Sequence, residues 1–458
     1  MIKIANTGGS PIMENKLYAN RQLINLTIPL IISTSLSLLV GMIDSVMVAA
    51  VGEAAVSGVS LVDFVIQLMI YIFSAMAAGG AIVAGQYLGS KDMDSAHKAT
   101  NELVWLNAGI SLLITVLMLL LSETILNTFF GNITDEVRGH ASRYMTVVIL
   151  SLPAIALFES GSAIFRTMND SNTAMKISLV MNSINCVGNA ILIYGCSMGT
   201  LGAAIATFAA RWAAAATVLF LLTRDTLELS IERSLKHRFS PAMVKNILSI
   251  GLPNGIENGM FQFGKIALPG LVTTFGTAAI AANSVTQVLA SIQMIPGCAI
   301  SLAMTTVISR CVGSGDYNQT RYYNRKLLAI SYICEAIVTG ILLLALPYII
   351  ALYNLSDEAN ALTVSMFHWH ALGGALLWPM AFNLPAALRA AGDVRFPMVI
   401  SICSMWVFRY GGAYVLAYHF DLGAVGAWIS MTMLDWGFRT IIYLLRWHSG
   451  KWQTKRVV

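Results

Sequence analysis

Charge is scarce in this chain. Asp, Glu, Lys and Arg make up 11% of its 458 residues, against roughly 25% in an ordinary soluble domain. A water-soluble enzyme of usual composition is excluded. Cysteine is scarce as well: six are present, scattered and without a CxxC pair. That argues against a disulfide framework and a cysteine-ligated zinc site. The opening residues, MIKIANTGGSPIMENK, lack the apolar core of a secretory signal. Residues 1–21 read as a cytoplasmic tail, with Met13 as an alternative start. No paired catalytic carboxylates or metal motif stand out. The stretch Gly259 to Ile266 has the spacing of a phosphate loop, but it lacks the final Ser or Thr and sits inside an apolar run with no preceding strand. His368 and His370 are two apart and point to different faces, which argues against joint metal binding. The net charge of +5 is no nucleic-acid signal. Neither an enzyme nor a cofactor protein is expected.

What is present is apolar. Hydrophobic residues make up 57% of the chain and the mean hydropathy is +0.70. Twelve apolar segments follow one another, at 22–48, 55–82, 99–122, 143–165, 174–195, 200–223, 244–273, 278–307, 326–352, 362–387, 397–418 and 423–446. Runs of this length exceed barrel strands and approach the roughly 20 residues that cross a bilayer as a helix. The fold class is therefore an all-α polytopic membrane protein with twelve transmembrane helices. Lys and Arg cluster at Lys91 and Lys98, from Arg224 to Lys245, from Arg310 to Lys326, at Arg389 and Arg395, and beyond Arg446. Only Arg138 and Arg143 fall on the opposite side. Positive residues favour the cytoplasm, so both termini are expected there, in a bacterial inner membrane. The polar connection 224–243 divides an N-lobe, 22–223, from a C-lobe, 244–446, and 447–458 reads as a second cytoplasmic tail.

The two halves repeat. At an offset of 224, Pro29 matches Pro253, Gly52 matches Gly276, and Gly89, Ser90 and Asp92 match Gly313, Ser314 and Asp316. At 223, Arg166, Asp170 and Ser178 match Arg389, Asp393 and Ser401; at 224 again, Gly202 matches Gly426. Six helices bring the chain back to the same side, so the repeats are parallel, and such halves can rock about a central site.

Asp44 is the acid in the first segment. It shares a helical face with Ser33, Ser37 and Gly41. A charge at mid-bilayer costs on the order of 2.5–3.5 kcal/mol on insertion scales, so such residues usually face a cavity. Pro29 is the expected hinge. The fifth segment places Asn182, Asn185 and Asn189 on one face by spacings of three and four. Opposite Asp44, their carbonyl oxygens complete a small-cation site, or their NH2 groups hold the carboxylate. Thr207 is a fourth oxygen. In the second half Leu268 stands where Asp44 would be, and the seventh segment instead carries Glu257 and Lys265, about two turns apart and able to pair through a third group. Glu257, Met260, Phe261, Lys265, His368, Trp378 and Arg409, with Ser37 and Gly41, are the candidates for a substrate cavity. Asp435 and Arg439, four apart, read as a structural pair.

The Pro29-to-Asp44 helix followed by VGEAAVSGVS, the loop GQYLGSKD, and the paired motifs FRTMND and LRAAGD resemble the multidrug and toxic compound extrusion (MATE) family. The resemblance covers nearly the whole chain. It implies two lobes around a central cavity and export of small organic compounds, amphipathic or cationic, driven by inward H+ or Na+. It also implies that Asp44, Asn185, Asn189 and Thr207 form the coupling site, where Na+ is the one metal expected. The protein is expected to act as a monomer in the lipid bilayer. Two departures stand out: the position of Asn189 is often Asp in that family, and the NorM-type Glu of the seventh helix is Phe261 here. With one acid missing, H+ is the favoured coupling ion. The alternative is a lipid-linked glycan flippase of the same wider fold, whose cavity needs several cations for a diphosphate. The embedded cations are Arg211, Lys265, Arg409 and Arg439.

Overall fold

The computed structural model describes residues 16–131, 133–233 and 237–458, and among them no strand occurs. The described residues form twelve helical spans. The first half holds α1 (Asn20–Ala49), α2 (Glu53–Gly89), α3 (Met93–Phe130), α4 (Asp135–Ile149, then Leu152–Thr167), α5 (Ser171–Asn189, continued by a π turn Ala190–Gly195) and α6 (Gly199–Leu222). The second half holds α7 (Pro241–Val272), α8 (Thr277–Gln293, then Ile295–Gly313), α9 (Tyr317–Tyr353), α10 (Asp357–Leu376, ending in Leu384–Ala390), α11 (from Arg395–Ser404 to a π turn Val415–His419) and α12 (from Gly423–Ile429 to Trp436–His448). Several helices outrun their apolar stretches: the segment 55–82 lies in a helix ending at Gly89, and 99–122 in one starting at Met93.

Among the described residues, eight helices are long and apolar enough to cross a membrane alone, or ten if each bent pair counts as one span. The two spans that fall short, α7 and α12, carry intramembrane charge: Glu257 and Lys265, Asp435 and Arg439. The outer surface is greasy. On α9, Ile333, Ile337, Ile341, Leu344 and Tyr348 form one exposed stripe, and α3 exposes Leu112, Leu113, Val116 and Leu120. In water such continuous apolar faces are a liability; against lipid they cost nothing. Polar groups go inside instead, where Asn107 donates to the carbonyls of Phe73 and Ala156.

The duplication is written into the backbone. Left-handed positions recur at the sequence offsets: Gly52 and Gly276, Lys91 and Gly315, Asn169 and Gly392, Ser197 and Asp421, Gly199 and Gly423. The differences are 224, 224, 223, 224 and 224. Asp92 caps α3 by accepting from the Ser95 amide, and its mate Asp316 caps α9 from Asn318 and Gln319. The fourth helix of each half bends, α4 by 48° and α10 by 59°. The change of offset has a local cause. Helix α5 carries one π stretch, whereas α11 carries two, Met405–Gly411 and Val415–His419. A π bulge inserts an extra residue into a helix, which restores 224 after 223.

The halves meet along α2, which packs on α7 and on the second half of α8. The approach is backbone to backbone: a Cβ on Gly79 would lie 2.7 Å from Gly251 N, one on Gly89 2.1 Å from the Arg310 carbonyl, and one on Gly313 2.0 Å from the Gln86 carbonyl. This seals the seam at the end bearing the termini. Leu26 and Leu30 of α1 close it further against Ala299, Ile300 and Ala303 of α8. The segment 447–458, read above as a tail, is folded across it. Trp452 stacks on Trp447 at 4.4 Å, and Val457 N donates to Gln86 Oε1 at 3.1 Å. The connection between halves is also docked, with Glu232 N donating to Asn101 Oδ1 at 2.9 Å and Arg310 ion-paired to Glu228.

Candidate functional site

Each half encloses a cavity. The first, about 240 Å3, lies between α1, α2, α4, α5 and α6, and its walls include Gly41, Asp44, Asp63, Asn189, Thr207 and Arg211. The i, i+3 and i, i+4 spacings that put Gly41 with Asp44, Asn185 with Asn189, and Thr207 with Arg211 on shared faces all converge here. Asn189 Nδ2 donates to Asp44 Oδ1 at 2.8 Å. The Asn185 amide lies between Asp44 and Thr207: Nδ2 donates to Thr207 Oγ1 at 3.1 Å, and with the amide turned, the assignment its neighbours favour, Nδ2 donates to Asp44 Oδ2 and Oδ1 at 2.8 and 2.9 Å while Oδ1 accepts from Thr207 Oγ1. The four residues therefore meet at one spot, and of the two arrangements open in the sequence Asn189 places its NH2 group on the carboxylate. Asn182 stands outside it, half-buried with Nδ2 unpartnered.

Sequence reasoning missed part of this cavity. Asp63 of α2 accepts from Tyr144 Oη at 2.9 Å, and Arg211 Nη1 donates to Ser151 Oγ at 2.9 Å. Asp63 was legible, since it is the one charged residue in the segment 55–82, the same signal that marks Asp44. Tyr144 had no such signal, because Tyr is common at helix ends in membranes.

The second cavity, about 280 Å3, lies between α7, α8, α10, α11 and α12, with Tyr71 of α2 on its wall, and is lined by Glu257, Phe261, Lys265, Trp378, Arg389, Arg409 and Arg439. Glu257 does not reach Lys265. Its carboxylate accepts from Arg389 Nη1 at 3.1 Å and from Ser401 Oγ at 2.6 Å. Asp435 binds two guanidinium groups, Arg409 at 2.8 Å and Arg439 at 2.7 Å, and accepts from Ser404 Oγ. The Asp435–Arg439 pair is thus part of a triad. Arg439 also donates to Ser401 Oγ and to the Ser401 carbonyl, both at 3.1 Å.

Three cavity candidates lie elsewhere. Ser37 is exposed and lines neither cavity; it shares the Asp44 face but sits seven residues away, about 10 Å along the axis at 1.5 Å per residue. Met260, next to Phe261, is rotated away by roughly 100°. His368 is exposed in an outer groove with Trp369 and Leu372, while buried His370 lines the second cavity and pairs through Nδ1 with Gln293 Oε1 at 2.7 Å.

A helical membrane protein of two parallel six-helix repeats, with charged cavities inside each, has the architecture of a secondary transporter. The MatE family profile matches residues 29–191 and 253–415, one stretch per half, at the same offset of 253 − 29 = 224. The chain belongs to this family, whose members are transporters and not enzymes. It is 26% identical over 451 residues to a probable multidrug resistance protein NorM of Thermotoga maritima, covering 96% of this chain and 94% of that one. It is 25% identical over 442 residues to the uncharacterized transporter YisQ of Bacillus subtilis, covering 94% and 95%. Among solved structures, it resembles one described as the outward-facing conformation of a multidrug resistance MATE family transporter of the MOP superfamily, with a TM-score of 0.88, 20% identity and coverage of 94% and 96%. Another, with a TM-score of 0.87, 20% identity and coverage of 95% and 96%, is a MOP superfamily transporter from Pyrococcus furiosus described by the reverse polarity of its binding pocket.

Proposed function

We propose that this protein is a cation-coupled antiporter that exports small organic compounds by alternating access of its two lobes, with Asp44 as the residue that loads the coupling cation. The observation that carries the reading is the Asp44 network: one carboxylate inside a membrane-embedded cavity, held by the NH2 group of Asn189 and flanked by the Asn185 amide. Loading a cation removes the charge that the Asn189 amide serves. The bond weakens, since hydrogen bonds to an ionised group are roughly twice as strong as neutral ones, and α1 is free to repack. Pro29 supplies the place, because a proline inside a helix leaves the carbonyl four residues back, that of Asn25, without its donor.

The donor set favours H+ over Na+. A hard cation takes oxygen ligands, and here the Asn189 nitrogen faces the carboxylate, so Na+ needs that amide turned. With the termini cytoplasmic, the sealed seam closes the cytoplasmic side, and unloading requires α2 to part from α7 and α8. The flippase reading draws on one observation, the four cations around the second cavity, and MatE membership weighs against it. Loss of surface glycan in a deletion strain is its signature.

The test is dye efflux from vesicles carrying the purified protein, under a proton gradient and a sodium gradient imposed separately. Asp44→Asn is expected to insert normally and to lose gradient-driven export to the level of empty vesicles. Wild-type export by Asp44→Asn under both gradients removes Asp44 from the mechanism.

A further inference from the structure

The cavity of the second half has its charge the wrong way round for a cation. Four basic groups surround it, Lys265, Arg389, Arg409 and Arg439, against two carboxylates, Glu257 and Asp435, so the set sums to 4 − 2 = +2. The pairing is uneven. Arg389 has Glu257 to itself, and Arg409 and Arg439 share Asp435. Lys265 has no carboxylate within ion-pair distance among the described residues, and it is exposed to the cavity. Its Nζ, Arg409 and Arg439 all lie over the Phe261 ring, at 5.3, 5.0 and 5.8 Å from the centroid. Asp435 is shared by the two arginines and offsets their charge only in part, and among the described residues no carboxylate stands beside Lys265. Glu335 does not fill that role, since it lies behind Trp378 and Gly297, accepts from Gly297 N at 3.1 Å and is not part of the wall. A second donor waits as well. Trp378 lines the same cavity, and its buried indole N–H has no acceptor among the described residues.

We propose that this cavity binds an aromatic organic anion, with Lys265 as its counter-ion, the Arg409–Asp435–Arg439 triad as a fixed positive wall, and Phe261, Trp378 and Phe382 as the apolar seat. The ligand is amphipathic: a carboxylate or sulfonate end placed at Lys265 and a ring stacked on the aromatic wall, where Trp378 and Phe382 already lie parallel at 5.0 Å. The inference rests on the reading of the chain as an exporter of organic compounds, and names the charge of what it carries.

The experiment is equilibrium binding of three matched probes to the purified protein in nanodiscs: 2-naphthalenesulfonate, 2-naphthyltrimethylammonium and farnesyl diphosphate. No gradient is present, so a failure of coupled export does not bear on the result. The wild type is expected to bind the sulfonate at least about tenfold more tightly than the ammonium, a difference of about 1.4 kcal/mol. Lys265→Met is expected to lose about tenfold in sulfonate affinity, Lys265→Arg to keep it, and Lys265→Glu to reverse the preference. Thermal unfolding of each variant reports that the fold is intact. Equal or tighter binding of the ammonium by the wild type overturns the proposal. So does unchanged sulfonate binding by Lys265→Met, or sulfonate binding no better than to empty nanodiscs. Binding of farnesyl diphosphate tenfold tighter than of the sulfonate reassigns the cavity to a lipid diphosphate and also overturns it.

Discussion

The two lobes are one scaffold used twice with opposite charge. At the shared offset of 224, Gly41 corresponds to Lys265, Asp44 to Leu268, Asp63 to Gln287 and Thr207 to Met431, and every one of these eight residues lines the cavity of its own half. The fifth pair, Arg211 and Asp435, exchanges a base for an acid. The backbone keeps its turns, its bent fourth helix and its caps in both halves, so the same positions face inward in each. The first cavity ends with two acids against one base, 1 − 2 = −1, and the second with +2. Duplication preserved where side chains point and left free what they are. A net acidic cavity and a net basic one therefore stand in the two halves of one molecule.

The largest expected effect breaks the second cavity at its centre. Asp435 alone compensates Arg409 and Arg439, and all three are buried. Removing one partner of such a set leaves charge uncompensated and costs about 3–5 kcal/mol, so Asp435→Asn is expected to lower the thermal midpoint of the purified protein sharply. The twin change in the first lobe, Arg211→Gln, breaks no ion pair among the described residues and is expected to cost less. Equal losses would mean that the lobes are not electrostatically distinct. A smaller change sharpens the same contrast. Leu268→Asp puts the first lobe's acid into the second cavity, three residues from Lys265 on one helical face. It is expected to reduce sulfonate affinity about tenfold in the nanodisc assay, with Leu268→Asn as the uncharged control. The smallest effect lies outside both cavities. Glu228 pairs with Arg310 at the sealed end, where the Glu side chain is 38% exposed. Glu228→Gln is expected to shift stability by at most about 1 kcal/mol, read from the same unfolding curves.

Much of the fold was legible before any coordinates. Twelve segments, the duplication and the places where the chain turns follow from hydropathy and from matched Gly, Asp and Pro residues, because these signals are local. The Asp44 network was half legible: spacings of three and four put Asn185 and Asn189 on one face, and an acid in an apolar helix needs partners. Asp63 carried the same signal and was overlooked. The pairing in the second half was not legible. Glu257 and Lys265 share a helix and invited a link, yet Glu257 binds Arg389, 132 residues away, because the end of α10 brings a guanidinium and α11 brings Ser401 to the same spot.

By itself, the sequence determined that this chain lives in a membrane, that it folds as two parallel repeats, and that charge is held inside it. Each of these follows from composition and period, which act within a few turns of helix. Tertiary structure alone decided which charges meet. It turned the Asn189 amide nitrogen toward Asp44, drew two arginines onto Asp435, and left Lys265 at the cavity wall with no carboxylate beside it among the described residues. The reason is geometric: a helical face specifies a direction but not the neighbour found there, and ion pairs are settled over the last few ångströms between helices far apart in the chain.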